Sequence, residues 1–280
     1  MMRIVSLLAS GTELCCALGA GESLVGRSHE CDDPEWVQRL PQVSRPTFEV
    51  SGSGAEIDAR VRAKLRNHLP LYEVDRELLE RLAPDVVVTQ VHCEVCAVSP
   101  SALGDAHAWP GLEGLKTVSM RGGSLPGILE DFQNVSRAIG RAGAGQELVS
   151  RIGATLHKWQ ERTQGLRRPK VVCIEWMDPV FTMGNWGPEL VELAGGETAL
   201  AAPGHSVVVG WEAVLEANPE ILVVAPCGFP LERAWAEMPV LTSRPSWSDL
   251  RCVRTGRVYV SDGNRYFNRS GPTLFDSIGL

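Results

Sequence analysis

The sequence predicts an α/β protein of two doubly wound lobes, each on a parallel sheet, joined by one long helix. Three observations carry that expectation. First, "LLERLAPDVVVTQVHC" (78–93) and "VLEANPEILVVAPC" (214–227) echo each other. In each, a short helical pattern stops at a Pro-acid pair, because proline disfavours helix at the residue before it, and an apolar β-branched strand follows. Strands apolar on both faces belong to parallel sheets covered on both sides. Second, the strand pattern "RIVSL" near residue 4 is matched by "PKVVCIEW" near residue 171. Third, a long stretch of helical periodicity separates the two halves. The expected divisions are an N-terminal lobe over 1–142, a linking helix over 143–168 and a C-terminal lobe over 169–280.

The opening stretch, "MMRIVSLLASGTELCCALGAG", poses the question of a secretion leader. A leader needs an uninterrupted apolar run of roughly 7–15 residues, and Ser10, Gly11, Thr12 and Glu13 interrupt this one. The stretch reads instead as a strand over 3–7, a turn at Ser10-Gly11, and a helix starting at Thr12-Glu13 with Leu14, Ala17 and Leu18 on one face. The expected location is therefore the cytosol, or the periplasm or cell surface if the true start lies upstream. The segment from His29 to Leu69 reads as an insert, rich in Pro, Ser and Gly before the helical pattern "AEIDARVRAKLRNHL". Between the halves, Ile128, Phe132, Val135 and Ile139, then Leu148, Ile152 and Leu156, keep helical spacing, with Gly143 and Gly145 expected to bend or divide the run. The portion over 146–165 would be one helix of about 30 Å at 1.5 Å per residue. The final "SGPTLFDSIGL" begins a last helix.

Composition narrows the function classes. With 44% hydrophobic and 22% charged residues among 280, the chain has an ordinary globular make-up, and no apolar run reaches the ~18 residues of a membrane span. A net charge of −7 argues against a nucleic-acid surface. The expected partner is a small molecule, bound by a monomer that is not embedded in a membrane. Catalytic signatures are missing: "GHSVVVG" lacks the G-x-S-x-G frame, and neither phosphate-binding glycine motif occurs. A binding protein, not an enzyme, is expected.

The motifs together resemble the substrate-binding proteins of ABC importers for vitamin B12, haem and ferric siderophores, whose lobes are joined by one rigid helix. "RIVSLLASGTELCCALG" is similar to that family's opening strand, turn and Thr-Glu helix. "LVGRSHECDDP" with "LPQVSRP" resembles its second strand and loop, "LLERLAPDVVV" its Pro-Asp strand, "GPELVELAGGE" its C-lobe helix, and "GRVYVSDGNRYFNRSGP" its last strand and closing loop. The resemblance implies a ligand cleft between the lobes and capture there of a metal chelate, cobalamin or another corrinoid first among them, for delivery to an ABC permease. It also implies a docking glutamate near a helix start on each lobe, matched here by Glu77 and Glu212. Carboxylates at helix starts are favoured by the helix dipole and pair with arginine forks, although both residues also read simply as helix-start acids.

In parallel α/β sheets ligands bind at the carboxyl ends of strands. Those ends deliver His29-Glu30-Cys31-Asp32, His92-Cys93-Glu94-Val95-Cys96, Trp176-Met177-Asp178 and Cys227. The candidate ligand contacts are Ser10, Thr12, His29, His92, Arg121, Trp176, Asp178, Trp186, Arg265 and Tyr266. Flat aromatic side chains suit a flat macrocycle, and Arg121 and Arg265, in loops beside glycines, suit acidic groups. Cys31, Cys93, Cys96 and Cys227 form a candidate metal set, with His29 or His92 as further donors. Three readings stand side by side: zinc or another soft metal held tetrahedrally, or His or Cys on the axial face of a corrinoid cobalt or haem iron; disulfide or redox pairing; and packing as small hydrophobes. The alternative to an importer component is a cytosolic metal- or cofactor-handling protein using the 29–31 and 92–96 loops.

Overall fold

The computed structural model describes residues 2–91, 98, 103, 109, 112–201 and 204–280. The chain divides into two compact units: Met1–Val50, Ala59–Arg151 and Ser270–Pro272 in one, Ser51–Asp58, Ile152–Arg269 and Thr273–Leu280 in the other.

The first unit contains β1 (Ile4–Ser6), β2 (Leu24–Arg27), β3 (Ser44–Pro46), β4 (Tyr72–Val74), β5 (Val86–Gln90) and β6 (Lys116–Met120). Four of them form a sheet in the order β2-β1-β5-β6, parallel throughout. Every residue of β5 is buried: Val86, Val87 and Val88 as an apolar run between two covered faces requires, then Thr89, whose hydroxyl donates to the Val98 carbonyl at 2.6 Å, and Gln90. β3 and β4 pair with each other antiparallel, Ser44 opposite Val74, and so close much of the segment expected as an insert into a small ribbon.

The opening residues are part of this core: Ile4, Val5, Leu7, Leu14, Cys15 and Leu18 are all buried. Helix α1 runs over Ala9–Ala17, so Ser10 and Gly11 are helical and not the turn the sequence suggested. Glycine makes this possible, because a Cβ on Gly11 would sit 2.8 Å from Val88 Cγ1 and 2.9 Å from Ser6 Oγ. The helix starts where only a bare backbone fits against the strands.

Two further helices, α2 (Gly54–Arg66) and α3 (Arg76–Leu82), precede β5. After β6, α4 spans Leu125–Ala138 and α5 spans Ala142–Thr163, 22 residues in which the division between units falls after Arg151. The break between them lies at Gly140, with φ of +70°, which corrects the expectation of a bend at Gly143 and Gly145. Both of those glycines are inside α5, and a Cβ on Gly145 would overlap Ser136 of α4. Gly145 therefore serves close helix packing and Gly140 serves the reversal.

The second unit contains β7 (Lys170–Met177), β8 (Val180–Thr182), β9 (Glu197–Thr198), β10 (Val207–Val208), β11 (Ile221–Val224) and β12 (Val258–Val260). The order is β10-β8-β7-β11-β12, with β9 also on β7. Pairings of β7 with β9 and β11, and of β11 with β12, are parallel, whereas β8 and β10 run antiparallel. The expectation of a wholly parallel sheet is corrected here. Only Asp178 and Pro179 separate β7 from β8, and strands joined by so short a turn must be antiparallel.

The sequence echo is a structural one. Helix α3 ends at Ala83 with φ of +38°, before Pro84, and its counterpart α7 (Trp211–Ala217), which follows α6 (Gly187–Leu193), ends at Asn218 with φ of +42°, before Pro219. The next strand then pairs parallel with the first strand of its unit, Val86 beside Ile4 and Ile221 beside Val171. The tail over Pro272–Gly279 is a 3-10 helix burying Leu274, Phe275 and Ile278. Among the described residues no helix is long and apolar enough to cross a membrane.

Candidate functional site: the strand-end loops of each unit

In the first unit the loop after β2 folds back under α1. Cys31 is buried, and its sulfur accepts a hydrogen bond from the Thr12 hydroxyl at 2.9 Å and lies 3.2 Å from Ser28 Oγ. Ser10 and Thr12 are buried as well. Beside them burial, then Cys16 and Cys31, pushes the Cys15 thiol up to about 12. Burial likewise pushes Cys16 up to about 11, with Asp33, Cys31 and Glu13 adding to it. Thiols held this far from ionisation are poor nucleophiles. Cys15, Cys16, Cys173 and Cys252 are free thiols.

His29 stands at the open side of the same loop. Its Nδ1 is 3.2 Å from Ser44 Oγ, its Nε2 is 3.6 Å from Glu30 Oε1, and its ring lies 5.1 Å from that of Tyr72. Burial, helped by the nearby Arg27 charge, lowers its pKa to about 4. The imidazole is neutral at pH 7 and keeps a lone pair for a metal or a hydrogen bond.

After β6, the backbone N–H groups of Arg121 and Gly122 both donate to Asp131 Oδ2, at 2.7 and 2.6 Å. Asp131 is buried in α4. It clamps the "RGG" turn and leaves the Arg121 side chain exposed. The sequence carries a signal for this role: an acid inside the apolar stripe of Ile128, Phe132 and Val135 has to be buried with a partner. His92, Cys93 and Cys96 lie outside the described residues. Among the described residues no group of three or more His, Cys, Asp or Glu is placed to hold a metal ion.

In the second unit Trp176 is within β7 itself, not after it. Its indole N–H donates to the Asp178 carbonyl at 3.1 Å, and its ring lies 5.2 Å from Phe229. Asp178 is exposed and pairs with Arg244 at 3.4 Å. Cys227 follows β11, half-buried, with its N–H donating to the Glu175 carbonyl at 2.9 Å. Trp186 is buried, and its N–H ties down the Phe267 carbonyl at 2.7 Å. Just before Phe267 a short helix over Gly263–Tyr266, in place of the loop expected for Arg265, presents Tyr266 and an exposed Arg265, whose guanidinium lies 5.7 Å from the tyrosine ring. Glu175 is a half-buried acid whose pKa burial raises to about 7 against the lowering effect of a hydrogen bond with Ser206.

Glu77 and Glu212 are both exposed in the first turn of their helices, α3 and α7. These are the duplicated helices, so the two carboxylates occupy equivalent places in the two units.

The periplasmic binding protein family model matches residues 4–264. An uncharacterized ABC transporter substrate-binding lipoprotein of Bacillus subtilis, YvrC, is 23% identical over 99% of this chain and 77% of its own length. Two solved structures share the fold: the periplasmic heme-binding protein RhuT from Roseiflexus sp. RS-1, with a TM-score of 0.72 and 22% identity over 99% of this chain and 95% of that one, and the periplasmic vitamin B12 binding protein BtuF of Vibrio cholerae, with a TM-score of 0.71 and 18% identity over 99% and 93%. Matched over nearly its whole length, with its duplicated helix-proline-strand units, this chain belongs to the periplasmic binding protein family.

Proposed function

We propose that the protein is the substrate-binding component of an ABC importer and that its cargo is a metal chelate, cobalamin or another corrinoid in the first place and haem in the second. The observation that carries the importer reading is the pair Glu77 and Glu212: exposed carboxylates in the first turn of helices that correspond in the two units. A repeated acid on a repeated helix suits a permease presenting arginine forks at two equivalent places. This reading puts the protein outside the cytoplasmic membrane, in the periplasm or at the cell surface, in place of the cytosolic location expected from the opening residues.

The cargo reading rests on each unit's strand ends and on relatives whose names specify haem or vitamin B12. The neutral imidazole of His29 offers a nitrogen to cobalt or iron. Trp176, backed by Phe229, and Tyr266, beside Arg265, offer a flat face and a cation for a macrocycle with acidic substituents.

The test is binding of labelled protein to membrane vesicles from the source cells. Wild-type protein binds saturably and Glu77→Ala/Glu212→Ala at least tenfold more weakly, with chelate affinity unchanged. Equal membrane binding by the double variant would sink the importer reading.

A further inference from the structure

At the amino ends of the strands of the second unit, opposite the loops just described, Arg167, Glu220, Arg251, Thr255 and Arg257 line an open pocket of about 290 Å³. Glu220, one of the lining residues, is 9% exposed. Arg167 Nη2 lies 2.6 Å from both of its carboxylate oxygens, and Arg251 Nη2 lies 3.2 Å from Oε2. The carboxylate therefore orients two guanidinium groups while cancelling the charge of one. The Arg257 guanidinium forms no ion pair among the described residues. Three arginines against one glutamate leave the lining with a net charge of +2, in a chain whose net charge is −7.

The pocket is rigidly built. Glu220 N–H donates to the Lys170 carbonyl at 2.9 Å, Arg251 N–H to Asn218 Oδ1 at 2.9 Å, and Arg257 N–H to the Cys252 carbonyl at 2.7 Å. These backbones are fixed by the strand starts or the helix that frames the pocket, and Glu220 holds the Arg167 and Arg251 guanidinium groups beside it. Arginine is the side chain suited to bidentate recognition of phosphate oxygens, and preorganised donors lose little entropy on binding.

We infer that this pocket is a binding site for a phosphate-type oxyanion, either free phosphate or the phosphate of an anionic lipid headgroup, separate from the chelate site. Arg257 supplies the uncancelled charge, and Arg167 and Arg251 supply oriented N–H groups. A dianion neutralises the lining.

The test uses the full chain. Inorganic phosphate is titrated at low salt while the arginine Nε–H resonances are followed by NMR, and sedimentation is measured with vesicles of phosphatidylcholine alone or with phosphatidylglycerol. Expected is saturable one-to-one phosphate binding that weakens with added salt and falls at least tenfold in Arg257→Ala, a variant whose backbone hydrogen bonds are retained. Sedimentation with phosphatidylglycerol vesicles, lost in the same variant, identifies the lipid as the source; phosphate binding without it identifies the free ion. Arg251→Lys, which keeps the charge but not the fork, is a second variant and binds more weakly than wild type. Neither phosphate nor lipid binding, or binding unchanged in Arg257→Ala with an unaltered unfolding midpoint, overturns the inference.

Discussion

The Thr12 hydroxyl donates to the Cys31 sulfur across 2.9 Å, joining the first turns of α1 to the loop after β2 through side chains 19 residues apart. Both residues are buried, and His29 stands two residues before Cys31 on the same loop. A donor so enclosed has no water to turn to, so its partner fixes the loop that presents the imidazole.

Thr12→Val keeps the shape and removes the donor. Loss of a buried hydrogen bond costs about 1 kcal/mol, read as a lower urea midpoint with an unchanged slope. Cys31→Ser, which keeps an acceptor, should cost no more. A Thr12→Val midpoint equal to wild type would show that the contact contributes nothing.

Asp131 holds two backbone N–H groups. Asp131→Ala leaves both unmet at about 1–3 kcal/mol each, whereas Asp131→Asn retains an acceptor and loses less. Burial raises the pKa of this carboxyl, opposed by the Gly122 and Arg121 N–H bonds. The folded state thus holds the proton to higher pH than the unfolded state, and stability falls as pH rises through the window just above the ordinary aspartate value. Asp131→Asn should flatten that part of the profile in urea melts across pH 3 to 6.

Glu175 gives a second pH signature. With its pKa raised from 4.5 to about 7 by burial, the folded state binds the extra proton between those values. Its penalty is absent below pH 4.5, grows towards pH 7 and is complete above it, at most about 3 kcal/mol. Glu175→Gln should remove this slope and gain stability at pH 8 relative to wild type. Parallel profiles for the two proteins would place the titration elsewhere.

Two glycines of α5 should respond in opposite directions. A Cβ on Gly153 meets nothing within 4 Å, so Gly153→Ala stabilises by about 0.5–1 kcal/mol through helix propensity. Gly145→Ala drives a methyl into Ser136 and destabilises by about 1–3 kcal/mol. Thermal melts of the two single variants decide it; like signs would mean that the α4–α5 crossing is looser than described.

The fold was legible where local chemistry repeats. Pro84 and Pro219 punctuate identical helix-strand steps, and the buried valines of β5 announced a covered parallel strand. The reversal at Gly140 was misplaced because Gly143 and Gly145 are equally permissive in sequence, and only the packing against Ser136 assigns Gly145 to the helix interface. β8 and β10 are three and two residues long, too short for periodicity to reveal. Among site residues, sequence marked His29 and Cys31 as chemistry-bearing, but that Cys31 is a buried acceptor for Thr12 depends on a contact no local pattern encodes. Trp186 reads as a candidate contact from its place near the strand-end loops, and no local pattern encodes the bond from its indole N–H to the Phe267 carbonyl.

The most direct test of chelate capture is an absorbance titration of purified protein with hydroxocobalamin and, separately, haemin, using wild type and His29→Ala. The account predicts saturation at one ligand per chain with a spectral shift that survives desalting, and at least tenfold weaker binding in His29→Ala. No saturable shift with either chelate would contradict it.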